Sequence, residues 1–189
     1  MRAPSNPPLQ SDGRVRSLRS LWRPQVNAGT LDGRTLANTA ERIRRANESD
    51  CQAIVDLIAN LRLEELGLAV DRAPILSTVA SAVSEPACDV FVADSGDAVV
   101  GFVVVHWVPF PMLAGTEGYI SDLVVAAELR GVGIGRKLVD AVEEAARNRG
   151  CVRLMLNNRV SAKSFQRGFY PKIGYRHRED FANFVKALR

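Results

Sequence analysis

Between Arg130 and Lys137 the chain reads Arg-Gly-Val-Gly-Ile-Gly-Arg-Lys, three glycines at alternate positions framed by three cations. Glycine carries no Cβ, so backbone N–H groups in such a run can approach a ligand closely. A strand-like stretch precedes the run and an amphipathic helical pattern follows it, which puts those amides at the positive end of a helix. Amides, a helix N-terminus and arginines together make a cradle for a pyrophosphate. The spacing excludes two nucleotide loops. A Walker A loop needs Gly-Lys-Ser/Thr, but Gly135 is followed by Arg136, and Leu138 stands where the magnesium-binding hydroxyl belongs. A dinucleotide fingerprint needs Gly-x-Gly-x-x-Gly, and the third glycine, Gly135, arrives one residue early.

Other chemistry is sparse. Cys51, Cys88 and Cys151 are scattered, with no Cys-x-x-Cys and only two histidines in the chain, so neither a disulfide framework nor a zinc site is expected. None of the cysteines has a neighbouring histidine, which argues against a covalent acyl-cysteine route. A reducing cytosol, hence a cytoplasmic protein without a structural metal, is the expected setting. The longest apolar run, Ala98 to Val105, is far shorter than the roughly 20 residues of a membrane helix.

Charge is divided along the chain. Residues 1–40 hold six Arg and two Asp and account for the net charge of +4. Residues 41–129 hold 5 basic and 14 acidic side chains, whereas 130–189 hold 14 basic and 5 acidic. A nucleic-acid binder would more often show a basic surface interleaved with stacking aromatics. One acidic and one basic half suit a cationic substrate and a polyanionic cofactor.

The elements that must position the loop follow from periodicity. Residues 1–40 carry four of the nine prolines and no apolar pattern, so they read as a disordered leader without the apolar core of a secretory signal. Their Arg-rich composition leaves a transit segment, a tag and a misplaced start open. From residue 41 one domain is expected. Ile43 lies in a short strand, and Ser49 with Gln52 resembles a capping box before a helix carrying Ile54, Leu57, Ile58 and Leu61. Pro74 fits the first turn of a second helix. Asp89–Ala93 and Ala98–Trp107, joined by Asp-Ser-Gly-Asp, form a hairpin pattern. Tyr119–Val125 is a strand, the glycine run follows, and Leu138, Val139, Val142 and Ala146 mark a helix with Glu143 and Arg147 paired at i,i+4. A strand from Cys151 to Leu156, a helix from Ser161 to Lys172 and a last strand over about 176–185 complete an α/β (α+β) domain around one mixed sheet.

Three ordered segments resemble motifs of the GNAT acetyltransferase superfamily. Arg130, Gly133 and Gly135 match its R-x-x-G-x-G element, Ser121–Val125 looks like its fourth strand, and Phe169-Tyr170-Pro171-Lys172-Ile173-Gly174-Tyr175 is similar to its C-terminal FYxxxGF signature. With Ile43–Ala46 the likeness covers essentially 42–189. It implies a single GNAT-type domain using acetyl-CoA as cosubstrate and no metal. The resemblance gives the backbone of Leu123, Val124 and Val125 to the pantetheine arm, and their exposed amides to the oxyanion formed when an amine attacks the thioester. It gives Arg130, Gly131, Gly133, Gly135 and Arg136 to the pyrophosphate, and Tyr170 to protonation of the departing thiolate. Departures exist: Ala127 replaces a common proline, and Lys163 and Gln166 replace an N-x-x-A pair, for which Asn157 and Asn158 are the expected substitutes.

The general base is open. Many relatives carry Glu where this chain has Tyr119. Glu117 would share a face with Tyr119 if the strand reaches that far, Asp122 matches an acid of small-molecule acetyltransferases, and ordered water is the third choice. His106 and Trp107, at the end of a core strand, are either a substrate wall or plain packing. The expected reaction is acetyl transfer from acetyl-CoA to the primary amine of a small molecule by direct attack in a ternary complex. A protein acceptor and a non-catalytic coenzyme A-binding domain are the alternatives. No nucleic-acid or membrane partner is expected. Paired protomers are common in resembling proteins, so a homodimer is one expectation.

Overall fold

A computed structural model describes residues 42–188, so the leader expected over 1–40 lies outside the described residues. The chain forms β1 (Arg42–Arg45), α1 (Cys51–Leu66), α2 (Arg72–Ser84), β2 (Cys88–Asp94), β3 (Val99–Phe110) and β4 (Gly115–Val125). There follow α3 (Ile134–Asn148), β5 (Arg153–Leu156), α4 (Lys163–Gln166) and α5 (Phe169–Lys172). The five strands make one sheet in the order β1-β2-β3-β4-β5, antiparallel as far as β4, with β4 and β5 parallel.

Alternation along β2 and β3 sorts their apolar side chains onto two faces. Val90, Val92 and Phe102 pack with Ile54, Val55 and Val79 of α1 and α2. Phe91, Ala93, Val103 and Val105 pack with Ile134, Leu138 and Val142 of α3. Both faces are therefore covered, which is why these strands read as unbroken apolar runs. Gly118 lets the sheet close against β5, because a Cβ there would collide with the Leu154 side chain and the Trp107 ring.

Four expectations need correction. The cap before α1 is Asn47, not Ser49: Asn47 Oδ1 accepts from Ser49 N at 2.9 Å, and Asn47 N donates to Asp50 Oδ2 at 2.8 Å. Asp50 can return that bond because it stands at the third position of a short 3-10 turn, Glu48–Asp50, that leads into α1. The helix expected over 161–172 is split at Gly168, whose φ of 64° is left-handed and ends α4 before α5 begins. The fifth strand starts at Arg153 rather than Cys151. The last strand does not form: residues 175–188 hold no strand or helix, and Phe184, Val185 and Leu188 are exposed. Apolar residues in an extended segment make a strand only where another strand pairs with them.

Arg44 joins β1, the turn and the end of β2. Its Nη1 and Nη2 donate to Asp50 Oδ2 and Oδ1 at 2.7 and 2.8 Å, and its Nε to Asp94 Oδ2 at 2.8 Å. Asp50 is buried, and these bonds hold its carboxyl below the usual carboxylate range. A carboxyl depressed by folding stabilises above its unfolded pKa, and the contribution is lost as pH falls through and below about 4. Arg44→Ala is expected to cost about 3 kcal/mol near neutral pH, the range for removing one partner of a buried pair. Urea denaturation between pH 7 and 3 should show the gap to wild type narrowing below about pH 4.

Candidate active site

Pairing between β4 and β5 runs only from Glu117↔Arg153 to Ile120↔Leu156, while β4 continues to Val125 with β3 on one side. Among the described residues no strand covers the other side of Ser121–Val125. A cleft of about 770 Å³ opens there, lined by β4 from Ile120 to Val125, the glycine loop, the end of α1 and the segment after β5. Leu123, Val124, Val125, Arg130, Gly131, Gly133, Gly135, Arg136, Asn157 and Tyr170, the cofactor and acid candidates, all line this one cleft.

A register slip shapes its floor. Asp122 lies opposite Val104 but Ile120 lies opposite Val105, so Ser121 is an extra residue in β4, a bulge. Ile120 and Leu123 consequently both pack on the α3 face. Ser121 and Asp122, neighbours that a regular strand would point apart, are hydrogen-bonded at 2.7 Å.

At the far end, Gly131 and Gly133 have φ of 89° and 101°. Gly133 caps α3 without any side-chain hydrogen bond, so the first amides of a 15-residue helix face the cleft. Arg130 ties this loop down: Nε donates to the Val125 carbonyl at 3.0 Å and Nη1 to Glu64 at 2.9 Å. Arg136 pairs with Asp140 one turn on, which raises its pKa further.

Tyr170 forms part of the opposite wall, its ring edge-to-face with Phe169 and Tyr175 at 4.9 and 5.8 Å. Burial pushes its phenol up to about 12 and raises that of Tyr175 as well, so both hydroxyls hold their protons. Two buried polar atoms lack a hydrogen-bond partner among the described residues, Asn158 Nδ2 and Tyr175 Oη. Asn158 lines the cleft, and an orphaned donor in such a wall suits a ligand carbonyl.

The acid candidates separate. Glu117 is buried and ion-paired with Arg153 on β5, and it is not among the cleft-lining residues. It shares a face with Tyr119 as expected, but that position lies under paired strand rather than in the gap. Asp122 is exposed in the cleft. Trp107 is core, its Nε1 donating to buried Asp89 at 2.9 Å, while His106 reaches the cleft edge through Ser121. Sequence reasoning missed Arg159, Lys163, Arg167 and Lys172 in the lining. Their only signal was the basic excess after residue 130.

The family model described as acetyltransferase (GNAT) matches residues 56–175. The chain is 31% identical over 124 residues to a thialysine N-epsilon-acetyltransferase of Mus musculus, covering 61% of this chain and 72% of that protein. It is 29% identical over 146 residues to an aminoalkylphosphonate N-acetyltransferase of Salmonella typhimurium, covering 77% and 90%. Among solved structures, a transcriptional regulator from Bacillus halodurans superposes with a TM-score of 0.68 at 22% identity, covering 78% of this chain and 99% of that one. This last likeness concerns the fold.

A phenol whose pKa folding raises stabilises below the ordinary value near 10, and that contribution is lost as pH rises toward 12. The alkaline difference spectrum of wild type minus Tyr170→Phe is therefore expected to show its ionisation step near pH 12. A step near pH 10 would mean the ring is solvated.

Proposed function

The chain belongs to the GNAT acetyltransferase family, and from that premise we propose that it moves the acetyl group of acetyl-CoA to a primary amine of a small molecule, by direct attack in a ternary complex. One observation carries this reading. A single cleft joins the uncapped amide end of α3, the uncovered edge of β4 and a tyrosine that keeps its proton.

The residues present fit acetyl-CoA. The amides from Gly131 to Arg136, with the Arg136 guanidinium, suit a pyrophosphate at a helix N-terminus. Arg130 supports that loop through Val125 and Glu64 and adds charge beside it. The backbone of Leu123 and Val124 offers strand-like bonds to a pantetheine arm, and Asn158 Nδ2 offers another donor. Asn157, also in the lining, has its Nδ2 3.3 Å from Tyr119 Oη. When bound, acetyl-CoA supplies a thioester carbonyl activated for attack.

The protein's part is electrostatic and protonic. Amides along the β4 edge are fixed before reaction, so they stabilise developing negative charge on oxygen without reorganising. Tyr170 holds a proton at Oη for the departing sulfur. The phenol is protonated throughout the neutral range and can donate to that sulfur. Asp122, the exposed carboxylate in the cleft, is a counter-ion for an incoming ammonium. Glu117, already neutralised by Arg153, serves to join β4 to β5.

Thiol release from acetyl-CoA, measured with thialysine, 2-aminoethylphosphonate and lysine-containing peptides, tests the reading. Turnover is expected with a small amine. Acetylation of peptides alone would make the acceptor a protein, and coenzyme binding without turnover would make the domain a binder. Tyr170→Phe is expected to lower kcat by about 10²–10⁴-fold with coenzyme A affinity little changed.

Gly133→Val addresses the loop. A Cβ at Gly133 meets nothing within 4 Å, so crowding in the protein is not the obstacle. The obstacles are a φ of 101°, which costs a branched residue about 1–3 kcal/mol, and a side chain standing where the ligand must approach. Calorimetry should show the coenzyme A Kd rising by about tenfold or more.

A further inference from the structure

An ammonium must shed a proton before it can attack, and the bulge in β4 builds a route for that proton. Ser121 Oγ lies 2.7 Å from Asp122 Oδ2 on one side and 3.1 Å from His106 Nε2 on the other. Ser121 and Asp122 line the cleft; His106 stands one strand behind, half-buried on β3. A serine hydroxyl has one proton to donate and lone pairs to accept with. It points toward Asp122 when His106 Nε2 carries a proton, and toward Nε2 when it does not. The hydroxyl thus links the cleft to the imidazole.

The surroundings hold His106 in place. Its register partners are Cys88 on β2 and Tyr119 on β4, and its ring stacks on Tyr119 at 6.5 Å between centroids. Cys88 and Tyr119 flank it on the neighbouring strands, Ser121 links it to Asp122, and Asp89 and Glu85 lie near Cys88. The Cys88 thiol is pushed up to about 11, chiefly by burial, and is uncharged at neutral pH. The helices covering this face bring apolar side chains, Ile54, Val79 and Val83 among them. Asp122 is therefore the anion that both an ammonium in the cleft and an imidazolium behind it would face.

We propose that His106 is the terminal proton acceptor for the substrate amine, working through Ser121 while Asp122 holds the ammonium. This rests on the reading that amines are acetylated in this cleft. As the ammonium N–H bond breaks, its proton joins Ser121 Oγ, and the Ser121 O–H bond breaks in turn to protonate His106 Nε2. The amine keeps the electron pair for attack, the serine ends as it began, and the imidazolium sits near a carboxylate that never takes the proton. Proton transfer from an ammonium to an ordinary carboxylate is uphill by roughly a millionfold, but to an imidazole by only about ten thousandfold. That difference favours His106 over Asp122 as acceptor.

The test measures kcat/KM against pH for the full chain, saturated with acetyl-CoA, using 2-aminoethylphosphonate or whichever panel amine wild type acetylates best. His106→Gln keeps a hydrogen-bond partner for Ser121 but cannot take a proton, and Ser121→Ala, at an exposed position, breaks the link. Both are expected to lose about 10²–10⁴-fold and an inflection that wild type shows on the acid side, with KM for acetyl-CoA unchanged. The loss should shrink with the β,β-difluorinated analogue of the same amine, whose ammonium sheds its proton readily. Thermal melting checks that each variant folds, and Ser121→Ala decides alone if His106→Gln does not. Variants that keep the rate and the inflection, or lose the same factor with both acceptors, overturn the proposal while acetylation stands. A wild-type chain that releases no thiol with any amine overturns both.

Discussion

Ser121 is the residue that β4 carries and β3 does not match, and the geometry of the cleft follows from it. A bulge adds local twist and bend to its strand, and β5 stops pairing with β4 one residue earlier, at Ile120. Beyond that point the edge of β4 has no strand beside it among the described residues. The same extra residue moves Ile120 and Leu123 to one face and brings Ser121 beside Asp122. An uncovered strand edge, a core contact and a hydrogen-bonded Ser121–Asp122 pair thus meet at one irregularity.

Charge is used differently at the two ends of the sheet. Behind it, Asp89 is buried and shared by Arg45, Arg149 and the Trp107 indole. Two guanidiniums and an indole N–H satisfy the oxygens of this carboxylate, as burying a charged group requires. At the cleft, Glu64 pairs with Arg130 and Lys163, and Glu65 with Arg159, all partly or largely exposed. Exposed pairs contribute about 0–1 kcal/mol each, so they yield readily to a polyanion competing for the arginines and lysine. The rear network holds β2 and β3 to α3, while the cleft pairs hold the end of α1 near the loop without committing its cations.

What the sequence reveals and what it conceals divide by distance along the chain. The glycine run, α3 with its Glu143–Arg147 pair, the hairpin of β2 and β3, and the tyrosine after α4 are local patterns, each readable within a window of ten to fifteen residues. Alternation even placed Glu117 correctly on the face of Tyr119. It failed on purpose rather than on direction, because Arg153 arrives from β5 to neutralise it. The cap at Asn47 was missed because a Ser-x-x-Gln pattern next to it satisfies the same rule. The strand expected over 176–185 has the right residues and no partner.

The amino-acid sequence by itself determined most of the elements and the glycine run at Gly131–Gly135, because backbone freedom, helix periodicity and side-chain type are properties of neighbouring residues. Only the tertiary structure decided that β4 bulges at Ser121 and that β5 leaves it at Ile120. It also decided that Asp122 faces the cleft while Glu117 does not, and that His106 stands within hydrogen-bond reach of Ser121. Register between strands is set by how whole faces pack against α1, α2 and α3. A slip of one residue exchanges those faces, and no short stretch of sequence records which register the packed sheet adopts.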